Sequence, residues 1–359
     1  AAPSAIGPQP CAAATDSLAN TANIVAGVYG MNLLYLLRDF ARGAKIGVLE
    51  LEPNLRSDIS AYGKCYGVSA KVSYTKVDGG SGSGAGSGEA ALDIEMLAGL
   101  APQASIDVYQ SPNTNAGFYD IFKKFAVSDT NRVLSLSWGS CEANTALASM
   151  KAQELLFQQA NAQGQTIFAA AGDEGSTSCF RPSSGQTNPK VSALSPASAP
   201  FVIGVGGTSF RGTSFRGTGA SQQEIVWNDA SRAPGTGAGG GGVSSVWCMP
   251  GYQHQTKIPG IISAHSRKDS KSCASRHFRE SPDVAATVHG AGLLPIGSAD
   301  EARIMSGSKV LATVAACTTT VCKVTRPAEK AGTVDIRIFA DSLWLSARSK
   351  GDRFTYKSG

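Results

Sequence analysis

Over roughly the first 290 residues, short apolar runs of strand length alternate with longer segments of helical period, and this alternation leaves the chain few ways to fold. Segments 44–51 (AKIGVLEL), 105–109 (SIDVY), 132–137 (RVLSLS), 166–171 (TIFAAA) and 201–205 (FVIGV) read as buried strands. Helical patterns fall between them at 89–100, 117–126 and 143–162. A strand that runs parallel to its predecessor needs a crossover, and a helix supplies it, so helices come to lie on both faces of the sheet. The expected class is α/β, a parallel sheet flanked by helices. In such sheets chemistry sits just past the carboxyl ends of the strands.

The alternation stops near residue 290. Beyond it, short β-type runs at 310–316, 321–325, 332–339, 342–347 and 353–356 are split by turns, which predicts a small antiparallel β module. The expected organisation is a large domain over 1–290 and a small one over 291–359. A hydrophobic share of 42% suffices for a core of that size. The net charge of +5 comes from 32 basic and 27 acidic residues spread along the chain, and such a spread surplus does not suit a nucleic-acid partner. The most apolar stretch, 23–37, is too short to span a bilayer, so no membrane partner is expected.

Eight cysteines are scattered without a CxxC or a histidine at zinc-finger spacing, which argues against a metal and for disulfides in an oxidising, extracellular compartment. The simplest pairing joins neighbours in order: Cys11–Cys65, Cys141–Cys179, Cys248–Cys273 and Cys317–Cys322. The chain opens Ala1-Ala2-Pro3-Ser4 with no charged-then-apolar leader, as a mature secreted form would.

Two glycine-rich tracts interrupt the pattern. Residues 79–88 (GGSGSGAGSG) run straight into the helix at Glu89, and 237–242 (GAGGGG) precede Val243. The first has no following Lys-Ser/Thr and so is no phosphate loop. It reads equally as a flexible linker or as backbone closely approaching a ligand. A short tandem duplication, GTSFR at 207–211 and again at 212–216, is too small for a repeat architecture.

Glu89 and Asp93 are four apart on one predicted helix and therefore share a face. Such a carboxyl pair repels itself when fully ionised. One member then holds its proton to higher pH and becomes usable as a general acid or base. The helix around them is apolar on several sides, so it is expected to be largely buried, with Glu95 pointing to solvent. Asp173 follows a buried strand in the glycine-flanked turn AAAGDEGST (169–177), where a carboxyl group is well placed for a site and where an ordinary Asp turn is equally at home.

At these residues the chain resembles a known family. AAAGDEGST is similar to the oxyanion turn of subtilisin-type proteases, with Asp173 in place of the usual asparagine, which marks the sedolisins, the serine-carboxyl peptidases. GEAALDIEMLAGLAP (88–102) resembles the sedolisin helix that carries a glutamate base and an aspartate four residues later. All four histidines (His254, His265, His277, His289) lie beyond residue 250, so no subtilisin-type histidine helix precedes them. LSLSWG (134–139) resembles the strand that pairs with an extended peptide, making Ser137, Trp138 and Gly139 the expected substrate-binding residues. SPASAPFVIGVGGTSF (195–210), GGGGVSSVWCMPGYQ (239–253) and ESPDVAA (280–286) resemble further segments of the family, so the likeness runs over about residues 5–286. In the tail, GTVDIRI (332–338) and GDRFTY (351–356) resemble the second half of a TIG-type immunoglobulin-like domain.

The resemblance implies a secreted serine endopeptidase with a subtilisin-like fold that hydrolyses peptide or unfolded protein in acid, after a propeptide preceding Ala1 has been removed. Glu89 would take the serine proton, Asp93 would hold Glu89, and a protonated Asp173 would stabilise the oxyanion. One part of the pattern is missing. The family's nucleophile lies in a GTSxxxP helix start after PDV(S/A)A, and here Pro282-Asp283-Val284-Ala285-Ala286 leads into Thr287-Val288-His289 with no GTSxxxP. The family's calcium loop, expected after that serine, is also not found, so no cofactor is expected. It is as though one internal stretch near 287–296 had been lost. Ser209 and Ser214 each sit in Gly-Thr-Ser, but each is followed by Phe-Arg-Gly and lies before the 239–253 segment; Ser306 and Ser308 fit still less well. Three functions stay open: an active peptidase, a peptide-binding pseudopeptidase, and a surface-binding protein acting through its tail.

Overall fold

A computed structural model describes residues 7–15, 21–83, 88–181, 185–211, 223–229, 237–255, 273 and 277–287, and the backbone of the strands between 303 and 356. Its centre is an eight-stranded sheet. Along the sheet the order is Gln223–Val226, Ile203–Arg211, Thr166–Ala170, Val133–Leu136, Lys45–Glu50, Ser105–Gln110 and Lys71–Lys76, with Val284–Thr287 pairing against Ile203–Arg211. Every pairing is parallel except that of Gln223–Val226. The expected parallel α/β sheet is present.

Period-two alternation explains why both faces are covered. In Lys45–Glu50, Val48 faces a core with Tyr62, Tyr66, Ile94, Ile106 and Val108, contributed by helices Arg56–Tyr66 and Gly88–Leu100 and the neighbouring strand. The next residue, Leu49, faces the opposite core with Tyr109, Phe122, Phe125 and Phe157, beneath helices Asn115–Ser128 and Leu147–Ala162. A strand sandwiched in this way reads as a continuous apolar run. Helix ends follow local chemistry. The Thr114 hydroxyl accepts the Gly117 N–H at the start of Asn115–Ser128, and Gly67, at φ +62°, ends Arg56–Tyr66 in the left-handed conformation open to glycine.

Register decides where the site lies. Leu49 pairs with Leu136, Leu136 with Ala169, and Ala170 with Val205, so the central strands end in line at one edge. Glu50, Ser137 and Asp173 all stand at that edge.

Some expectations change. The helix expected at 143–162 is split: Glu142–Asn144 forms a 3-10 turn and the α-helix begins at Leu147, because the Glu142 side chain turns inward to bind three serines. The strand expected at 201–205 runs over Ile203–Arg211, extended by the pairings it makes with Val284–Thr287 and Gln223–Val226. Glu95 was expected in solvent and is instead fully buried, on the helix face that packs against Tyr62 and Tyr66. That face meets helix Arg56–Tyr66, which a solvated reading of the single helix could not anticipate.

Cys11–Cys65, Cys141–Cys179 and Cys248–Cys273 form disulfides. Cys317 and Cys322 are register partners across an antiparallel pair, and their bridge lies outside the described side chains. The tail forms a five-stranded antiparallel sheet and a separate two-stranded pair, Gly332–Asp335 with Arg353–Tyr356. The second copy of the duplication, 212–216, lies outside the described residues.

Candidate active site

Glu89 opens the first turn of Gly88–Leu100, and Asp93 follows one turn later on the same helix. Small residues of this helix, Ala90, Ala91, Ala98 and Gly99, are buried, and a Cβ on Gly99 would meet the Tyr62 hydroxyl and Ala22 of neighbouring helices. Past the end of Val133–Leu136, two neighbouring side chains each meet a carboxyl group. The Ser137 hydroxyl donates to Asp93 Oδ2 at 2.6 Å, and the Trp138 indole N–H donates to Glu50 Oε2 at 2.9 Å. The substrate-binding segment inferred from sequence is thus tied to the carboxyl helix and to the first strand of the sheet. A Cβ on Gly139 would stand 2.6 Å from Leu194 and 2.9 Å from the Ser195 carbonyl, so only glycine fits there.

Glu50 was not anticipated. It ends an apolar strand and is fully buried. Burial pushes its carboxyl well above the ordinary range, and the nearby charge of Asp93 pushes it further. The Trp138 hydrogen bond pulls it down, while Glu89 and Glu52 add smaller upward effects. The sequence signal, visible in retrospect, is a lone carboxylate within VLEL at a strand's carboxyl end. Burial pushes Asp93 up from 3.8 to about 6, against the opposing pull of the Ser137 hydrogen bond. Glu50, Glu89 and Asp93 therefore form one electrostatic group, in which a proton stays bound at a pH where an isolated carboxyl would have lost it.

Asp173 lies in the turn after Thr166–Ala170, between Gly172 at φ +103° and Gly175 at φ +58°. The second glycine tract is packed against this turn. The Ala238 N–H donates to the Asp173 carbonyl at 2.7 Å, Gly240 N–H to the Gly172 carbonyl at 2.6 Å and Gly241 N–H to the Gly175 carbonyl at 3.0 Å. A Cβ on Gly240 would overlap the Ala171 carbonyl. The tract is rigid backbone-to-backbone packing.

The PDVAA segment is also anchored. Arg279, with no exposed side-chain surface, pairs with Asp283 at 2.6 Å and donates to the Val202 carbonyl at 3.0 Å, while Asp283 Oδ2 accepts the Gly204 N–H at 2.9 Å. Strand Val284–Thr287 then runs parallel to Ile203–Arg211, and the chain leaves the described residues after Thr287. Among the alternative serines, Ser209 lies mid-strand opposite Ile225; Ser214 and Ser308 lie outside the described residues, and Ser306 is described in backbone only. Among the described residues no group of three or more His, Cys, Asp or Glu could hold a metal ion, and the stretch to which the resemblance assigns a calcium loop lies past residue 287.

The model of the subtilase family matches residues 72–287, well over half of the chain. Kumamolisin of Bacillus sp. (strain MN-32) is 32% identical over 280 residues, which cover 76% of this chain and 47% of kumamolisin. Sedolisin of Pseudomonas sp. (strain 101) is 34% identical over 176 residues, covering 47% of this chain and 29% of sedolisin. Tripeptidyl-peptidase 1 of Canis lupus familiaris is 29% identical over 240 residues, 39% of that protein. The chain thus spans less than half the length of these curated relatives. Among solved structures, Pseudomonas sedolisin, a serine-carboxyl proteinase complexed with two molecules of pseudo-iodotyrostatin, superposes with a TM-score of 0.54 at 26% identity, covering 69% of this chain and 66% of that one.

Proposed function

The chain belongs to the subtilase family, and its likeness to sedolisin-type relatives supports a place among the sedolisins; from that premise we propose that it is a sedolisin-type serine-carboxyl peptidase by descent, which holds extended peptides in acid without cleaving them. The observation that carries the reading is the joint anchoring of Ser137 and Trp138 to Asp93 and Glu50. It sets a peptide-pairing segment directly against a proton-holding carboxyl group.

In this reading a substrate's backbone pairs with residues 137–139 in β fashion. Glu89 is the proton acceptor at the scissile position and Asp93 orients it. Asp173 donates a hydrogen bond to the peptide carbonyl, which it can do only while protonated, so the site works in acid. The raised Asp93 and Glu50 carboxyls fit that condition. Hydrolysis further needs a nucleophile that loses its proton to Glu89 as it attacks. The sequence after Ala286 has no GTSxxxP serine to supply it. Without a nucleophile, only the residual rate from binding and oxyanion stabilisation remains.

Three disulfides suit an oxidising compartment and support secretion. Among the described residues no helix is long and apolar enough to cross a membrane. The antiparallel pairings of the tail are compatible with an immunoglobulin-like module over 291–359, separate from the 1–290 peptidase domain.

The test is fluorescence polarisation with a labelled, unstructured peptide from pH 3 to 8, alongside detection of new peptide termini by mass spectrometry. Saturable binding that weakens above about pH 6, with no new termini, is expected. Turnover between pH 3 and 6 by the folded protein would overturn the non-cleaving part of the proposal. Absence of binding at every pH would overturn the peptide-holding part.

A further inference from the structure

Glu142 has no role in the carboxyl group described above, and its surroundings are unusual for a glutamate. It is 4% exposed, and its carboxyl receives four hydrogen bonds from two distant parts of the chain. Oε1 accepts from the Ser198 hydroxyl at 2.6 Å and the Ser244 hydroxyl at 2.6 Å. Oε2 accepts from the Ser245 N–H at 2.7 Å and the Ser245 hydroxyl at 3.1 Å. The Ser244 oxygen in turn accepts the N–H groups of Val246 and Trp247, so its single proton is committed to Glu142. Each oxygen of the Glu142 carboxyl thus accepts from two donors.

The peptide-pairing segment and the glycine tract both connect to this point. On one side, Glu142 follows Gly139 by three residues, and its neighbour Cys141 is bonded to Cys179, beyond the Asp173 turn. On the other, Ser244 and Ser245 continue from the glycine tract whose N–H groups hold the Gly172, Asp173 and Gly175 carbonyls. Apart from the buried Ala238 methyl, the tract has no side chains, and it packs through its backbone. A Cβ on Gly240 or Gly242 would collide with the Ala171 or Ser192 carbonyl, so the tract fits only in close register with the turn, and the Glu142 contacts begin two residues past its end.

Resting on the peptide-holding reading, we propose that Glu142 is a positioning residue: its buried carboxylate sets the spacing between the peptide-pairing segment 137–139 and the Asp173 turn by fixing the end of the glycine tract. The substitution Glu142→Gln keeps the shape but puts an amide NH2 against donors, so one oxygen's contacts become repulsive.

The test has two arms on the full chain. In the first, amide exchange read by mass spectrometry compares wild type with Glu142→Gln over 172–177, 237–242 and 45–50. The expected result is exchange about tenfold faster over 237–242 and 172–177, with 45–50 unchanged. Acceleration confined to Ser245, or equal in all three segments, would overturn the inference, the latter because it reports only global loss of stability. In the second arm, Glu142→Gln is expected to bind the labelled peptide about tenfold more weakly at pH 4 with unchanged exchange over 45–50; equal affinity would overturn it. If Glu142→Gln does not fold, Ser244→Ala removes one donor and is expected to give the same localised pattern at smaller amplitude. If wild type binds no peptide, the peptide-holding reading fails, and the first arm still decides the role of Glu142.

Discussion

Replacing Asp93 by Asn is expected to remove a pH dependence of stability whose size follows from its surroundings. Burial raises the Asp93 carboxyl from 3.8 to about 6 in the folded chain. The folded state therefore holds this proton more tightly than the unfolded state does. The associated stability is fully present below pH 3.8 and is lost as pH rises through about 6. At ~1.36 kcal/mol for each pH unit between the two values, the loss is about 3 kcal/mol. Asn cannot ionise, yet its side-chain oxygen can still accept the Ser137 hydroxyl, so the local contact survives. Urea unfolding at pH 4, 6 and 8 measures the effect. Wild type should lose about 2 kcal/mol more between pH 4 and pH 8 than Asp93→Asn does, part of the total being already lost at pH 4, and the variant should be the more stable protein at pH 8. Glu50 has the same sign and leaves a residual slope in the variant; with the Asp93 charge gone, that slope also shrinks. Identical slopes in the two proteins, or a wild type that gains stability with rising pH through 6, would refute the reasoning.

Other outcomes follow from single contacts. Trp138→Phe removes the indole donor to buried Glu50 and should cost about 1–3 kcal/mol, as read by the same urea titrations. Arg279→Met takes the cation from Asp283, which keeps the Gly204 N–H, and should cost about 3 kcal/mol, measured by chemical denaturation. Gly240→Ala drives a methyl into the Ala171 carbonyl and should cost about 1–3 kcal/mol, with a lower melting temperature and loss of peptide binding; an unchanged melt would show that the tract yields.

Much of the fold was legible because its signals are local. Apolar runs separated by helical segments dictate crossovers, and crossovers dictate a parallel sheet covered on both faces. Glu89 and Asp93 could be placed on one helix face by their spacing, and Asp173 past a strand by the turn around it. Three of the disulfides followed sequence order. The residues that went unread depend on partners far along the chain. Glu50 meets Trp138 across 88 positions, and Glu142 meets Ser244 across 102. Glu95 stands among apolar neighbours on its helix, and it is the packing of helix Arg56–Tyr66 against its face that takes it out of water.

The sequence by itself determined the architecture and put Glu89 and Asp93 on one helix and Asp173 in the turn after a strand, because periodicity and motifs are written in consecutive residues. The tertiary structure alone decided which carboxyl groups lose their water and which side chains meet them. Desolvation depends on what packs against a group from every side, and no single stretch of sequence contains that. The glycine tract shows the difference most directly: the same six residues, 237–242, would be a flexible linker in water and are a fixed wall here, because the Asp173 turn lies against them.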